Sequence, residues 1–233
     1  MHNGMPREIL PSTEISPDVY HVADRHRKGI TQTSLSLILR FDLCEEKDRK
    51  RISAKLAELV RSNGMKMNTG FVGTPHLLHA LSESGYTDIA YNLLFQENFP
   101  SWLYSVNRGA TTMWEHWDSI KEDGTFWDKK MNSFNHYAYG AVFDWIFGVA
   151  CGISPTDDGA GYKKIRIAPH PDKRLGFADA HFDTRQGRVR VHWYYKNETV
   201  YYEIEVPSGT QAYLTLPSGS TRTLSSGIYC FAE

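Results

Sequence analysis

Glu115 stands between two indoles in the run Met113-Trp114-Glu115-His116-Trp117-Asp118, with Trp102 and Tyr104 shortly upstream. A carboxylate packed among indoles is partly desolvated, and desolvation favours the neutral carboxyl over the ionised one. Such a setting suits a general acid or base. The same pattern also fits core indoles beside a solvated or salt-bridged glutamate, and residue types alone leave both readings standing. A second stretch, Met131-Asn132-Ser133-Phe134-Asn135-His136-Tyr137-Ala138-Tyr139-Gly140, places Asn132, Asn135 and His136 where a loop meets a helix, with Ser133 as its expected cap. His136 there is either a donor to a ligand hydroxyl or a structurally satisfied histidine.

Other chemistries find no support. In Thr69-Gly70-Phe71-Val72-Gly73-Thr74-Pro75 the two glycines precede a helix, but the Lys and the preceding strand of a phosphate loop are missing, so a tight packing turn is expected. The pairs His21/His26 and His76/His79 lack the glutamate of a zinc-binding helix, and no GxSxG nucleophile elbow occurs. Neither a metal nor a cofactor is expected.

The elements that must position these residues change character near residues 153–162. Before that point the apolar spacing is helical. Gly29 to Leu43 is apolar on more than one side, and Glu45 to Asn63 carries the stripe Ile52, Leu56, Leu59, Val60 before the stop Asn63-Gly64. Thr74-Pro75 reads as an N-cap with Pro at the first helical position, burying Leu77, Leu78 and Leu81 up to Gly85. Thr87 to Gln96 forms the next helix, a long aromatic loop follows, and a last helix is expected from about Ser133 to Cys151, closed by Gly152. After that point the period is two: Arg188 to Tyr195 and Val200 to Val206 alternate around a turn at Lys196-Asn197-Glu198. Shorter strands are expected at Lys164–Ala168, Ala212–Leu216 and Ile228–Phe231. Stacked helical hairpins followed by a small antiparallel sandwich result.

Composition narrows the class. The formal net charge of -1 and the short basic cluster Arg25-His26-Arg27-Lys28 give no groove for a polyanion, so no nucleic-acid partner is expected. No apolar run reaches the roughly 18 residues of a membrane span, and the first ten residues lack a secretory signal's apolar run. As written the chain is expected in the cytoplasm, without a membrane partner, although a parent enzyme could be exported. Cys44, Cys151 and Cys230 are far apart and odd in number, which argues against a disulfide framework.

The segments GITQTSLSLILRFDL, NTGFVGTPHLLHALSESGYTDIAYNLLFQENFPSWLYSV, GATTMWEHWDS and MNSFNHYAYGAVFDWIF, followed by GYKKIRIAPHP, resemble in order the C-terminal half of bacterial α-L-rhamnosidases. The resemblance runs from about residue 19 to the end. It implies an α+β multidomain chain: a tail at 1–18, part of an (α/α)6 toroid of helical hairpins at 19–160, and an antiparallel β-sandwich at 161–233. It implies hydrolysis of terminal α-L-rhamnosyl groups with inversion, with Glu115 as general base and His136 contacting the sugar. Trp102 and Trp117 fall in matching segments as sugar-facing aromatics. The expected ligand is a rhamnose-containing glycoside or polysaccharide.

The sequence also departs from that pattern. An inverting hydrolase needs a second carboxyl group as acid, and the family's acidic segment upstream of the barrel midpoint has no counterpart in these residues. Asp118, Glu122, Asp123 and Asp128 lie on the same loop as Glu115, whereas the acid must reach the opposite face of the sugar. The reading frame is therefore expected to begin midway through the barrel. Helices built for a closed toroid would then expose one flank, so self-association or a separately encoded N-terminal half is expected. The alternatives are a catalytically inactive carbohydrate-binding or vestigial fragment, and a different (α/α)6-toroid sugar enzyme.

Overall fold

The computed structural model describes residues 30–233. The tail, the basic cluster, the His21/His26 pair and the first-helix start at Gly29 lie outside the described residues. The chain divides into two compact units, residues 1–140 and 141–233, and each is taken by itself.

In the first unit, α1 (Gln32–Arg40) begins with a reciprocal cap. The Ser34 amide donates to the Thr31 hydroxyl, and the Thr31 amide donates to Ser34 Oγ, both at 3.1 Å. α2 (Glu46–Ser62) and α3 (Thr74–Glu83) both pack on α1, and α4 (Thr87–Leu94) packs on α3. Consecutive helices thus form two hairpins. The expected stripes are the buried faces: Leu35 and Ile38 on α1, Ile52, Leu56 and Val60 on α2, Leu77, Leu78 and Leu81 on α3, Ile89 and Leu93 on α4. Each such side chain contributes about 1.5–3 kcal/mol relative to exposure. Phe41 and Leu43, expected within the first helix, follow its end and are exposed.

Two helix starts differ from expectation. Gly73, not Thr74, caps α3, because the Thr74 hydroxyl donates back to the Gly70 carbonyl at 2.9 Å. A Cβ on Gly73 would sit 2.5 Å from Thr33 Oγ1, so glycine lets the start of α3 approach α1. The turn at 69–75 is a packing turn, as expected. The long aromatic loop contains an unforeseen helix, α5 (Trp102–Val106), started by Ser101, whose hydroxyl accepts from the Tyr104 amide at 3.1 Å.

The last helix begins five residues later than expected. Residues 133–137 are loop, a 3-10 turn covers Ala138–Ala141, α6 spans Val142–Trp145, and a single π turn runs through Ile146–Ala150. Gly152 ends the run with φ +75°, the left-handed conformation that glycine adopts without strain.

The second unit continues as two four-stranded sheets. β1 (Ile153–Pro155), β2 (Lys164–Ile167), β6 (Gln211–Thr215) and β7 (Thr221–Leu224) form one, in the order β1-β2-β6-β7. β3 (Phe177–Thr184), β4 (Gly187–Lys196), β5 (Thr199–Val206) and β8 (Gly227–Ala232) form the other, in that order. Pairing is antiparallel except at β2–β6, which is parallel. Ile165, Ile167, Ala212 and Leu214 of one sheet and Val189, Val191, Trp193, Tyr202 and Ile204 of the other share one core, the arrangement of a sandwich. Asn197 takes φ +56° in the two-residue turn between β4 and β5.

Candidate functional site

The site residues sit in the irregular stretch 101–139, so what matters is how a loop without regular structure is held. α5 supplies much of the anchoring. The Trp102 indole donates to the Tyr139 carbonyl at 2.9 Å, and the Ser105 hydroxyl donates to the Trp117 carbonyl at 3.1 Å. Arg108 covers the Tyr104 ring with its guanidinium 3.5 Å from the centroid.

Two loop segments then lie side by side. The Glu115 amide donates to the Ser133 carbonyl at 3.0 Å, and the Ser133 amide donates to Glu115 Oε2 at 3.1 Å. The His136 amide donates to the Met113 carbonyl at 2.8 Å, and the Thr112 hydroxyl donates to the Phe134 carbonyl. Trp114 meets Phe134 edge-to-face beneath this pairing. Asn132 adds a brace, its Nδ2 donating to the Ser119 carbonyl at 2.9 Å. Glu115 and His136, distant in sequence, are thereby brought onto one paired backbone. Both are partly exposed.

Aromatic rings fill the space around them. His136 stacks on Phe71 with centroids 4.7 Å apart, and Phe71 also touches Tyr139. The His136 Nδ1 accepts from the Ala138 amide at 3.3 Å, which places the ring proton on Nε2 and leaves that nitrogen as a donor. Tyr139 stacks on Trp117 at 3.7 Å. Burial, with Asp118 and Glu115 nearby adding to it, pushes the Tyr139 phenol up to about 12. The phenol is therefore a neutral hydroxyl near two carboxylates.

Trp102 and Trp117 are buried, 7% and 8% exposed, and meet edge-to-face at 5.3 Å. The Trp102 indole N–H is engaged by Tyr139 and one Trp117 face is covered by the same residue. They form the wall behind Tyr139. Ser133 does not cap a helix; its backbone serves Glu115 instead. Sequence reasoning passed over Phe71 and Tyr139. The signal for Phe71 was available: a large aromatic in a glycine-flanked turn has few neighbours of its own to bury it, and it is 41% exposed. Tyr139 carried no such mark.

Among the described residues no group of three or more His, Cys, Asp or Glu is placed to hold a metal ion, and no helix is long and apolar enough to cross a membrane. All three cysteines are unpaired.

Comparison with known proteins bears on both units. Residues 16–149 match the family profile described as bacterial alpha-L-rhamnosidase 6 hairpin glycosidase domain, and residues 152–229 match the bacterial alpha-L-rhamnosidase C-terminal domain. An alpha-L-rhamnosidase of Formosa agariphila is 44% identical over 194 residues, covering 83% of this chain and 21% of that protein. One of Streptomyces avermitilis is 40% identical over 199 residues, covering 85% and 19%. The crystal structure of the Streptomyces avermitilis alpha-L-rhamnosidase complexed with L-rhamnose aligns with a TM-score of 0.85 and 34% identity, over 95% of this chain and 23% of that one. The native enzyme from Aspergillus terreus aligns with a TM-score of 0.84 and 33% identity, over 95% and 25%. The chain thus spans about a fifth of the length of the curated relatives it matches. With a six-hairpin profile across the helical unit, a C-terminal-domain profile across the sandwich, and close likeness in both sequence and shape, the chain belongs to the bacterial alpha-L-rhamnosidase family.

Proposed function

We propose that this chain carries the general-base side of a site that hydrolyses terminal α-L-rhamnosyl groups with inversion. The observation that supports it most is the pairing of residues 112–115 with 133–136, which sets Glu115 and His136 on one surface beside Phe71 and Tyr139. The Ser133 amide engages Oε2 and fixes the carboxylate, so that Oε1 is the oxygen that takes a proton from the attacking water. The water oxygen bonds to the anomeric carbon as the glycosidic bond breaks, and the configuration inverts. His136 Nε2–H donates to a sugar hydroxyl, and the exposed Phe71 ring faces the apolar side of the sugar. Trp102 and Trp117 serve the sugar from behind, by holding Tyr139 and the Glu115 loop.

An inverting mechanism also needs an acid roughly 6.5–9.5 Å from the base. We assign it to portions of the family that this chain does not span, supplied by a longer polypeptide or a separately encoded N-terminal half. In this reading residues 19–160 hold the hydrolytic surface and 161–233 the C-terminal sandwich. The substrates are rhamnose-containing glycosides.

A leaving group that needs no proton separates base from acid. The purified chain is expected to release 2,4-dinitrophenol from its α-L-rhamnoside while leaving the methyl α-L-rhamnoside intact. Glu115→Gln should lower that release by about 10²- to 10⁴-fold. A Glu115→Gln protein as fast as the parent would end the proposal; rhamnose binding with no release from either protein would favour a binding-only role.

A further inference from the structure

The β3-β4-β5-β8 sheet has a second face that the core does not use. Val189, Val191 and Trp193 turn inward, so Arg188, Arg190, His192 and Tyr194 turn outward, and the same alternation runs through the paired strands. Register then sets whole rows on the outer face. Phe177 lies opposite Tyr194, Tyr194 opposite Tyr201, and Tyr201 opposite Ala232. The three rings make one aromatic row over β3, β4 and β5, about 9.5 Å long at the usual strand spacing. Phe177 is 63% exposed, and the Tyr194 and Tyr201 rings stack at 5.4 Å with 12° between planes.

The neighbouring rows are polar and already paired. Arg190 holds Asp179 at 2.8 Å and Glu203 at 3.5 Å, His192 Nδ1 lies 3.3 Å from Glu203, and Arg188 holds Asp183 at 2.7 Å. Because these charges neutralise one another locally, the face presents little field to a polyanion or an anionic membrane. It is also a poor protein interface. A stable one needs about 800 Å² per partner with an apolar centre, and one row of half-exposed rings flanked by ion pairs falls short. A narrow line of aromatic rings beside fixed donors and acceptors suits a neutral sugar chain. Its C–H faces lie on rings and its hydroxyls meet the carboxylates and the guanidinium.

We infer that Phe177, Tyr194 and Tyr201 form a binding platform for a neutral oligosaccharide, separate from the Glu115 surface. It holds a glycan chain without cleaving it. This inference does not depend on Glu115 being a catalytic base.

The test is affinity electrophoresis of the full chain in native gels containing a neutral polysaccharide with α-L-rhamnosyl side groups, with dextran gels as control. The background protein carries Glu115→Gln and His136→Ala, which removes sugar capture at the other surface. Retardation is expected to persist in that background. It should weaken about three- to tenfold with Tyr194→Ala or Tyr201→Ala, the range expected for one lost ring contact. Phe177→Ser, at a largely exposed position, provides the variant whose folding is not at risk, and it should weaken binding in the same direction. Four results would overturn the inference: no retardation of the parent, retardation that vanishes in the double variant, retardation indifferent to all three ring substitutions, or sedimentation revealing a dimer that Tyr194→Ala dissociates.

Discussion

Gly152 marks the passage from the π turn into the first strand, and substituting it tests whether backbone approach or backbone conformation dominates there. A Cβ built on Gly152 would lie 2.1 Å from the Ala168 carbonyl carbon, 2.3 Å from its oxygen and 2.3 Å from Pro169 N. Carbon atoms pack best at about 3.5–4.0 Å, so β1 and the chain after β2 would have to part by more than about 1 Å. Parting them stretches the 2.8 Å bond from the Ala168 amide to the Gly152 carbonyl, a loss of about 1 kcal/mol. Forcing alanine to φ +75° adds about 1 kcal/mol. Overpacking against backbone adds a further 1–3 kcal/mol or so, for a total of about 3–5 kcal/mol. Gly176 separates these terms, because it has φ +77° and nothing within 4 Å of its missing Cβ. Gly176→Ala should therefore cost only about 1 kcal/mol. The assay is equilibrium urea unfolding followed by ¹⁹F NMR of 5-fluorotryptophan, reading the Trp193 signal so that the second unit is measured on its own. If Gly152→Ala costs no more than Gly176→Ala, the close-approach argument is wrong.

Trp193→Phe should destabilise the second unit by about 2–4 kcal/mol in the same assay, since the fully buried indole fills the core and donates to the Ala150 carbonyl at 2.8 Å. The 3.3 Å bond from the His170 amide to that carbonyl keeps the figure from going higher. Burial, with Asp179 adding to it, pushes the Cys151 thiol up from 9.0 to about 12. The raised value means that its contribution is complete below pH 9 and is lost as pH rises towards 12, about 3–4 kcal/mol in all. Cys151→Ala should flatten the stability profile from pH 9 upward, while the slope from Tyr202, whose phenol burial also raises, should persist from above pH 10. Phe71→Ala removes the ring against His136 and should raise KM for the dinitrophenyl rhamnoside about three- to tenfold with kcat little changed; an unchanged KM would remove Phe71 from the sugar site.

Where the buried face repeats with the period of its element, the sequence was readable. Ile52, Leu56 and Val60 mark α2, and Val189, Val191 and Trp193 mark β4, because burial there follows position in the repeat. Elements set by something other than their own stripe escaped. α5 is five residues long, too short for a stripe, and its start depends on the Ser101 hydroxyl. β1 has three residues and ends in proline, and β7 has three exposed residues among its four. Residues 133–137 are the instructive case. Their residue types are indifferent helix formers, and the expected helix rested on the stripe Phe134, Ala138, Ala141 and Val142. Yet the Ser133 amide goes to a Glu115 carboxylate oxygen, the Ser133 carbonyl accepts from Glu115, and the His136 amide goes to Met113. A helix from Ser133 would use the Ser133 and Phe134 carbonyls for the amides four residues on, but here they accept from Glu115 and Thr112, so the tertiary pairing overrode the helical pattern.

That competition also explains why the candidate residues stand out in the sequence while their geometry does not. Glu115, Trp102, Trp117 and His136 were picked out by type and by family resemblance, neither of which distinguishes a ring that faces a ligand from one that holds the loop. Burial separates the rings packed into the loop from those left exposed. Trp102 is buried with its indole N–H on the Tyr139 carbonyl, and Trp117 is buried with one ring face on Tyr139 and its backbone carbonyl on Ser105, while Phe71 and His136 keep solvent-facing surface. The carboxylate is held by an amide from the other segment, not by a helix or strand of its own. Its position therefore depends on every tie in the chain Ser105–Trp117, Trp102–Tyr139, Asn132–Ser119 and Ser133–Glu115. Each tie uses a backbone group at one end. The side-chain ends of these ties are Ser105, Trp102, Asn132 and Glu115, so Ser105→Ala, Trp102→Phe and Asn132→Ala should each loosen the loop that carries the Glu115 carboxylate.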